Sequence, residues 1–495
     1  MGEEREQGDR RAGHLLLFPF LAQGHLIPFL NLAKRIESFA RRGGRGAPAI
    51  TIVSTARNVA TLRRAVPAGS SIGFAELPFS PSDHGLPPDA ESADVIPFQA
   101  FPTFYFATET LRPPFEKLLA ELGAREGRKN VCVLADIFLG WTAESALALG
   151  VQHRVFLTSG AYASAVTFSI WLHPPTFPCP ADPDDEQALP DFPDVRLRYV
   201  QFLNTVISED TANNPMMAYL RRTLDLHFRH SGGLVVNTAE EIEPKGLHLI
   251  GKLSGLPTLA VGPLIGGRTP SDAPPDGDAC IKFLDSKPPA SVLYVSFGSQ
   301  NSIPASQMME LARGLEASGR PFIWVVRAPV EFDGEEEFRA DEWLPGGFEE
   351  RVAAAAQGVV LRRWAPQVGV LAHASTGAFL SHCGWNSVLE SLWHGVPVVC
   401  WPLMSDQHFD SRMLEELGVG VEVAAGRISG GLGDKGWEHV RDVVETVLGD
   451  GEKARDMRQK AAKMKELARG AVEADGEAKG SSVLAMERLL DGAFR

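Results

Sequence analysis

Short apolar runs of strand length alternate with helix-period segments along nearly the whole chain, and that alternation leaves few folds open. A strand that is apolar on both sides must be covered on both sides, which is the condition of a parallel sheet with helices on each face. The runs at His14–Phe20, Ile50–Ser54, Val131–Ala135, Arg154–Leu157 and Leu234–Asn237 predict one such sheet. Those at Val292–Phe297, Phe322–Val326, Val359–Leu361, Ala378–Ser381, Val396–Cys400 and Val419–Val423 predict a second. A chain of 495 residues exceeds what one hydrophobic core ordinarily holds, so two doubly wound α/β domains facing a cleft are expected. The stretch VGPLIGGRTPSDAPPDGD, residues 261–278, loses apolar periodicity to Gly, Pro, Ser and Asp, as a linker does. The expected division is an N-terminal domain over 1–260, a linker over 261–282, a C-terminal domain over 283–475 and a final helix over 476–495 that returns to the N-terminal domain.

Composition narrows the function classes. The formal charge is −14 with no basic stripe, which argues against nucleic acid as a partner. Cys132, Cys179, Cys280, Cys383 and Cys400 are scattered and lack CxxC spacing, so neither a disulfide framework nor structural zinc is expected and a cytoplasmic location is. The apolar run from His14 follows a mixed-charge segment and precedes no cleavage site, so it reads as a buried first strand. No run reaches the roughly 20 apolar residues of a membrane span. Two stretches, 78–105 and 170–200, show no clear period, and their Phe98, Phe101, Phe104, Tyr105, Trp171 and Phe177 are candidates for a binding mouth or for packing of loop on domain.

Two nucleotide-motif matches mislead. Gly431-Leu-Gly433-Asp-Lys-Gly436 fits GxGxxG but is cut off from the preceding strand by a polar loop, and Gly246–Lys252 fits GxxxxGK but is followed by Leu253, which has no hydroxyl for magnesium. A dehydrogenase would need the first of these directly after a strand.

The informative stretch is WAPQVGVLAHASTGAFLSHCGWNSVLESLWHGVPVVCWPLMSDQ, Trp364 to Gln407. A strand ending at Ser381 breaks at His382-Cys-Gly384 and passes into a helix beginning near Asn386-Ser387. A helix N-terminus offers unpaired N–H groups and partial positive charge, so a phosphate fits against residues 384–387. Asn386 and Ser387 are equally good capping types. Glu390 lies on the face of Asn386, within reach of ribose hydroxyls. Singly, Trp364 reads as core, His382 as a satisfied buried histidine and Asp406-Gln407 as another cap. The combination decides otherwise.

In length, order and marker positions this stretch closely resembles the signature box of plant family 1 UDP-glycosyltransferases, and the resemblance extends to GHLIPFLNLAKRI, LVVNTAEEIE and VLYVSFGS. It implies the glycosyltransferase-B fold, with two Rossmann-like domains, the acceptor mainly in the N-terminal one and the UDP-sugar in the C-terminal one. It implies that Trp364 stacks on uracil, that Ala365 and Gln367 hold base and ribose, and that Glu390 holds the ribose. His382, Asn386, Ser387 and the turn at Ser299 would hold the diphosphate; Asp406, Gln407 and the Trp385 backbone would read sugar hydroxyls, and Thr158 would touch them too. Gln at the last box position accompanies UDP-glucose in this family.

Transfer to a hydroxyl needs a proton acceptor, and a neutral imidazole suits the task near pH 7. His25 follows the first strand at the carboxyl edge of its sheet, where such folds place ligands. Asp136 ends another strand at the same edge, and its alternative role is to cap the next helix. The resemblance makes His25 the general base and Asp136 the residue that orients it, in an inverting transfer that needs no metal and no cofactor beyond UDP-glucose as co-substrate. The expected acceptor is a small lipophilic molecule, foremost a flavonoid or other phenolic, with a terpenoid or hormone as the alternative acceptor and another UDP-sugar as the alternative donor. A non-catalytic UDP-sugar binder is the reading from another class. The chain is expected to act as a monomer.

Overall fold

The computed structural model describes residues 13–43, 47–175, 185–203, 213–266, 276–299, 301–332, 338–362, 364–426, 432, 435–474 and 478–494. Strands β1 (His14–Phe18), β2 (Ala49–Thr55), β3 (Gly73–Leu77), β4 (Val131–Asp136) and β5 (Gln152–Leu157) are followed by a hairpin, β6 (Glu186–Leu189) and β7 (Phe192–Arg198). Then come β8 (Leu234–Val236), β9 (Thr258–Ala260), β10 (Val292–Ser296), β11 (Phe322–Val326), β12 (Gly358–Arg362), β13 (Thr376–Ser381), β14 (Val398–Cys400) and β15 (Gly420–Glu422).

These strands form two all-parallel sheets, ordered β3-β2-β1-β4-β5-β8-β9 and β12-β11-β10-β13-β14-β15. In the first, strand order reverses between β1 and β4, with Phe18 level with Ala135. In the second it reverses between β10 and β13, with Ser296 level with Ser381. At such a reversal the flanking connections leave to opposite faces and open a crevice beyond the carboxyl ends of the strands. The residues leaving β1, β4, β10 and β13 are therefore the ones that topology exposes to a ligand.

Burial follows the apolar runs. Every residue of β1 and β4 is buried, because helices cover both faces. The helix Ala161–Leu172 has lost almost all polarity and is buried over nearly its whole length; it packs against the helix Gln407–Glu416 and so joins the two halves in one apolar cluster. The last helix, Ser481–Gly492, inserts Ala485, Met486 and Leu489 beside Leu15, Leu17 and Ile52 under the first sheet, and Ser481 Oγ donates to Glu241 at 2.7 Å.

Two features differ from the pattern read in the sequence, and a third bears out the setting aside of a motif match. The stretch 170–200 is not wholly irregular: it contains the β6–β7 hairpin, whose in-out alternation over Phe192–Arg198 is interrupted by Pro193 and Asp194. The stretch 78–105 ends in a short helix, Phe101–Ala107, with Phe104 fully buried in the core. The GxxxxGK match lies within the helix Pro244–Ser254, where a Cβ on Gly246 would meet the Tyr162 backbone nitrogen at 2.4 Å, so that glycine serves close packing and cradles no phosphate. Gly431 and Gly433 of the other match, Cys179 and Phe177 lie outside the described residues.

Candidate active site

His25 sits in the first turn of the helix Gln23–Gly43, directly beyond β1. Asp136 is the last residue of β4, the neighbouring strand, and parallel pairing brings the two together across 111 positions of sequence. His25 Nδ1 lies 2.7 Å from Asp136 Oδ2. A carboxylate only accepts, so Nδ1 carries the proton and Nε2 the lone pair. Asp136 is fully buried, and its other oxygen accepts from the Phe138 amide at 3.2 Å. It is not the N-cap of a helix, since the next one starts at Trp141 with Gly140 before it. Thr158, which follows β5, places its hydroxyl 3.1 Å from His25 Nδ1 and accepts the same proton, a contact with the histidine itself that sequence reasoning did not anticipate.

The His25 ring is enclosed by aromatics. Phe20 and Phe138 approach it with centroids 5.6 and 5.5 Å away, and Tyr105 stacks on Phe20 at 4.6 Å. Burial disfavours the imidazolium, yet the adjacent Asp136 carboxylate outweighs it, helped by Asp406 and Asp94, and the His25 pKa lies above its ordinary value.

A second set of residues gathers beyond β10 and β13. The helix after β13 runs from Trp385 to His394 with Gly384 as N-cap, so Asn386 and Ser387 lie inside its first turn and neither is the N-cap. Cys383 takes a left-handed φ of 64°, as does Ser405 at 52° just before Asp406-Gln407; backbone strain of this kind concentrates at functional loops. The His382 ring is wedged between two backbones: a Cβ on Gly298 would meet it at 2.7 Å and one on Gly384 at 2.5 Å. Burial lowers its pKa to about 4, so it is neutral, and its buried Nδ1 has no partner among the described residues. A buried nitrogen without a partner is costly unless a ligand or water meets it.

Gln367 opens the helix Gln367–Ala372 and ties the set together. Its amide donates to Glu390 Oε2 at 2.7 Å and to Ser387 Oγ at 3.0 Å and accepts from the Tyr294 hydroxyl at 3.3 Å, while its backbone N–H donates to the carbonyl of buried Ala365 at 2.8 Å. Burial raises the Glu390 pKa to about 7 against the opposing Gln367 hydrogen bond. Half-buried Trp364 precedes this turn. Gln407 Oε1 accepts from the Leu403 and Met404 amides at 3.0 and 3.2 Å, which fixes its side chain and leaves its NH2 to donate. Ser299 is exposed, and its carbonyl accepts from Arg327.

The two sets meet. Asn386 Nδ2 donates to the Gly24 carbonyl at 3.1 Å, one residue from His25, and Asp406 is close enough to His25 for each to shift the other's titration. The Trp385 indole crosses between the sheets to donate to the Asn237 carbonyl at 2.7 Å and packs against Gly160. Tyr105 was among the aromatics read as a possible binding mouth, but Gly298, Asn237, Tyr294, Phe20 and Phe138 were not picked out from the sequence. Of these only Phe138, two residues past the strand-end carboxylate, carried a local signal.

Comparison with known proteins identifies the family and the fold. Residues 256–450 match the family model described as UDP-glucoronosyl and UDP-glucosyl transferase, and residues 14–173 match that of a glycosyltransferase N-terminal domain. The chain is 37% identical over 482 residues to UDP-glycosyltransferase 92A1 of Arabidopsis thaliana, covering 97% of each. Among solved structures it is similar to Glycyrrhiza uralensis UGT73P12 complexed with glycyrrhetinic acid 3-O-monoglucuronide, with TM-score 0.80 and 27% identity over 97% of this chain and 95% of that one. It is also similar to Phytolacca americana UGT2 complexed with UDP-2fluoro-glucose and pterostilbene, with TM-score 0.74 and 26% identity over 97% and 99%.

Proposed function

The chain belongs to the plant family 1 UDP-glycosyltransferases, with the glycosyltransferase-B fold and sugar transfer from a UDP-sugar to a small acceptor, and on that premise we propose that it moves glucose from UDP-glucose to a hydroxyl of a small lipophilic acceptor, foremost a phenolic. His25 Nε2 takes the acceptor proton, the freed oxygen attacks C1 opposite UDP, and the α-linked donor becomes a β-glucoside. Asp136 holds the imidazolium that forms. The developing diphosphate charge is taken up by the N-terminus of the helix Trp385–His394 and by His382, so no step calls on a metal. The N-terminal domain, 1–260, takes the acceptor, and the C-terminal domain, 283–475, the donor.

Trp364 stacks on uracil with Ala365 and Gln367 at its edge, Gln367 and Glu390 hold the ribose, Asn386, Ser387 and the Ser299 turn hold the phosphates, and Asp406, Gln407, Thr158 and the Trp385 backbone meet the sugar. The observation that carries this reading is the Asn386–Gly24 contact, since it brings the phosphate-facing helix within one residue of the base. The aromatic cage suits a flat acceptor, which can stack or meet ring edges while its hydroxyl faces His25. We place the whole site within one chain acting as a monomer. The free thiols of Cys132, Cys383 and Cys400 suit the cytoplasm. Among the described residues no helix is long and apolar enough to cross a membrane.

UDP-glucose offered with a panel of phenolic and terpenoid acceptors is expected to give UDP and a β-glucoside, with phenolics turned over fastest. The measurement is UDP release with the anomeric coupling of the product. UDP binding without release across the panel would favour a non-catalytic binder instead.

Glu390 gives a separate expectation. Two ribose hydroxyls can both donate only to its ionised form, and with a pKa of about 7 the free protein holds much of it protonated below neutrality. UDP affinity should therefore rise from pH 6 to 8 by about tenfold and then level off. In Glu390→Gln the affinity should be low and flat with pH. Calorimetric titration of UDP decides, and an unchanged rise in the variant would remove Glu390 from the ribose.

A further inference from the structure

The helix that carries His25 has a feature that works against an imidazolium: His25 lies in its first turn, where unpaired N–H groups create partial positive charge. No acidic residue of the helix itself stands in that turn. The counter-charge comes from elsewhere in the chain. Asp94, on the short turn Ala93–Val95, accepts through Oδ2 from the Gln23 amide at 3.0 Å, the first N–H of the helix. The same oxygen accepts from Ser92 Oγ at 2.5 Å, and the Ala93 amide donates to the Leu21 carbonyl at 2.8 Å, so the turn is stitched to the loop that leads from β1 into the helix.

We propose that Asp94 is a positioning residue for the His25 base, capping the helix from outside and setting the field in which the imidazole gains and loses its proton. This rests on the reading of His25 as the base. The groups facing His25 are Asp136 from the end of β4, Asp406 from the start of the helix Gln407–Glu416, Asp94 from this turn, the neutral Thr158 hydroxyl, and the rings of Phe20 and Phe138. Asp136 bonds the ring directly. Asp94 differs in that it meets the ring through the helix terminus, cancelling charge that would push the proton off. It lies on the stretch 78–105, so the segment expected to shape the acceptor mouth also grips the helix of the base.

Asp94→Asn tests this, because asparagine keeps an oxygen that can accept from the Gln23 amide and loses only the charge. The titration of His25 is followed by NMR of its ring carbon, assigned with His25→Gln, beside the pH profile of kcat/KM for UDP-glucose and a phenolic acceptor. The expected result is a His25 pKa lower by roughly half a unit, with the acid limb of kcat/KM moving by the same amount. Asp94→Ala, which also loses the cap, should show that shift together with a lower Tm. A His25 resonance that titrates as in the unaltered protein in both variants overturns the proposal. A resonance that moves while the rate profile stays fixed leaves the coupling standing and overturns His25 as the base.

Discussion

His25→Ala lowers turnover by about 10²–10⁴-fold, the usual loss when a positioned general base is removed, and leaves UDP affinity nearly unchanged. The second half of that expectation is as diagnostic as the first. The residues gathered around Gln367, Glu390 and His382 stand on elements of the second sheet, and none of their hydrogen bonds runs through the His25 ring. The pH profile adds a signature. A base must be neutral to act, and the pKa of His25 is held above its ordinary value, burial notwithstanding, by Asp136 with Asp406 and Asp94. The acid limb of kcat/KM should therefore fall at a pH above that of a free imidazole and vanish in the alanine variant. Steady-state rates with UDP-glucose across pH, beside calorimetric UDP titration, measure both. Turnover within a few fold of the unaltered protein would remove His25 from the chemistry.

What the sequence made legible and what it hid follow from the range of the forces involved. Central strands such as β1, β4 and β13 are apolar on both faces because helices cover both, and that burial is written as uninterrupted runs. The edge strands β3 and β9 and the β6–β7 hairpin are short and only partly buried, so GFAEL, TLA and FPDVRLR carry no such run and were not read as strands. The donor-side candidates were conspicuous because one strand, its break and the following helix set them out contiguously between Trp364 and Gln407. That Asp136 ends one strand and His25 follows another at the same edge of one sheet was readable; that β1 and β4 are neighbours was not, since strand order depends on packing of the whole sheet. Asp94, Asn237 and Gly298 stayed hidden for another reason. Each acts through a backbone group or by leaving room, and neither role selects a residue type that stands out in one sequence.

Gly298 is where leaving room matters most, and Gly298→Ala should cost UDP affinity at least about tenfold without moving the His25 acid limb. Its φ of 80° already disfavours any side chain, by about 1–2 kcal/mol for an L-residue in the left-handed region. The new methyl would also meet His382 Cε1 and Nε2 at 2.7 Å. On the other side the ring already fills the room that Gly384 leaves by lacking a side chain, with Nε2 2.5 Å from where a Cβ would stand, so withdrawal brings it against that backbone. The ring must turn, and the orphaned Nδ1 that now waits for a partner turns with it. Because 1.4 kcal/mol is a tenfold change in binding, strain and one lost charge-assisted hydrogen bond suffice for the expected effect. The double variant Gly298→Ala/His382→Ala separates the causes: with the ring gone the methyl has space, so its UDP affinity should match that of His382→Ala alone apart from the φ penalty. Two residues that act through one contact are non-additive in this way. Losses that simply add, or a Gly298→Ala protein that binds UDP undiminished, would mean that the ring does not meet the diphosphate.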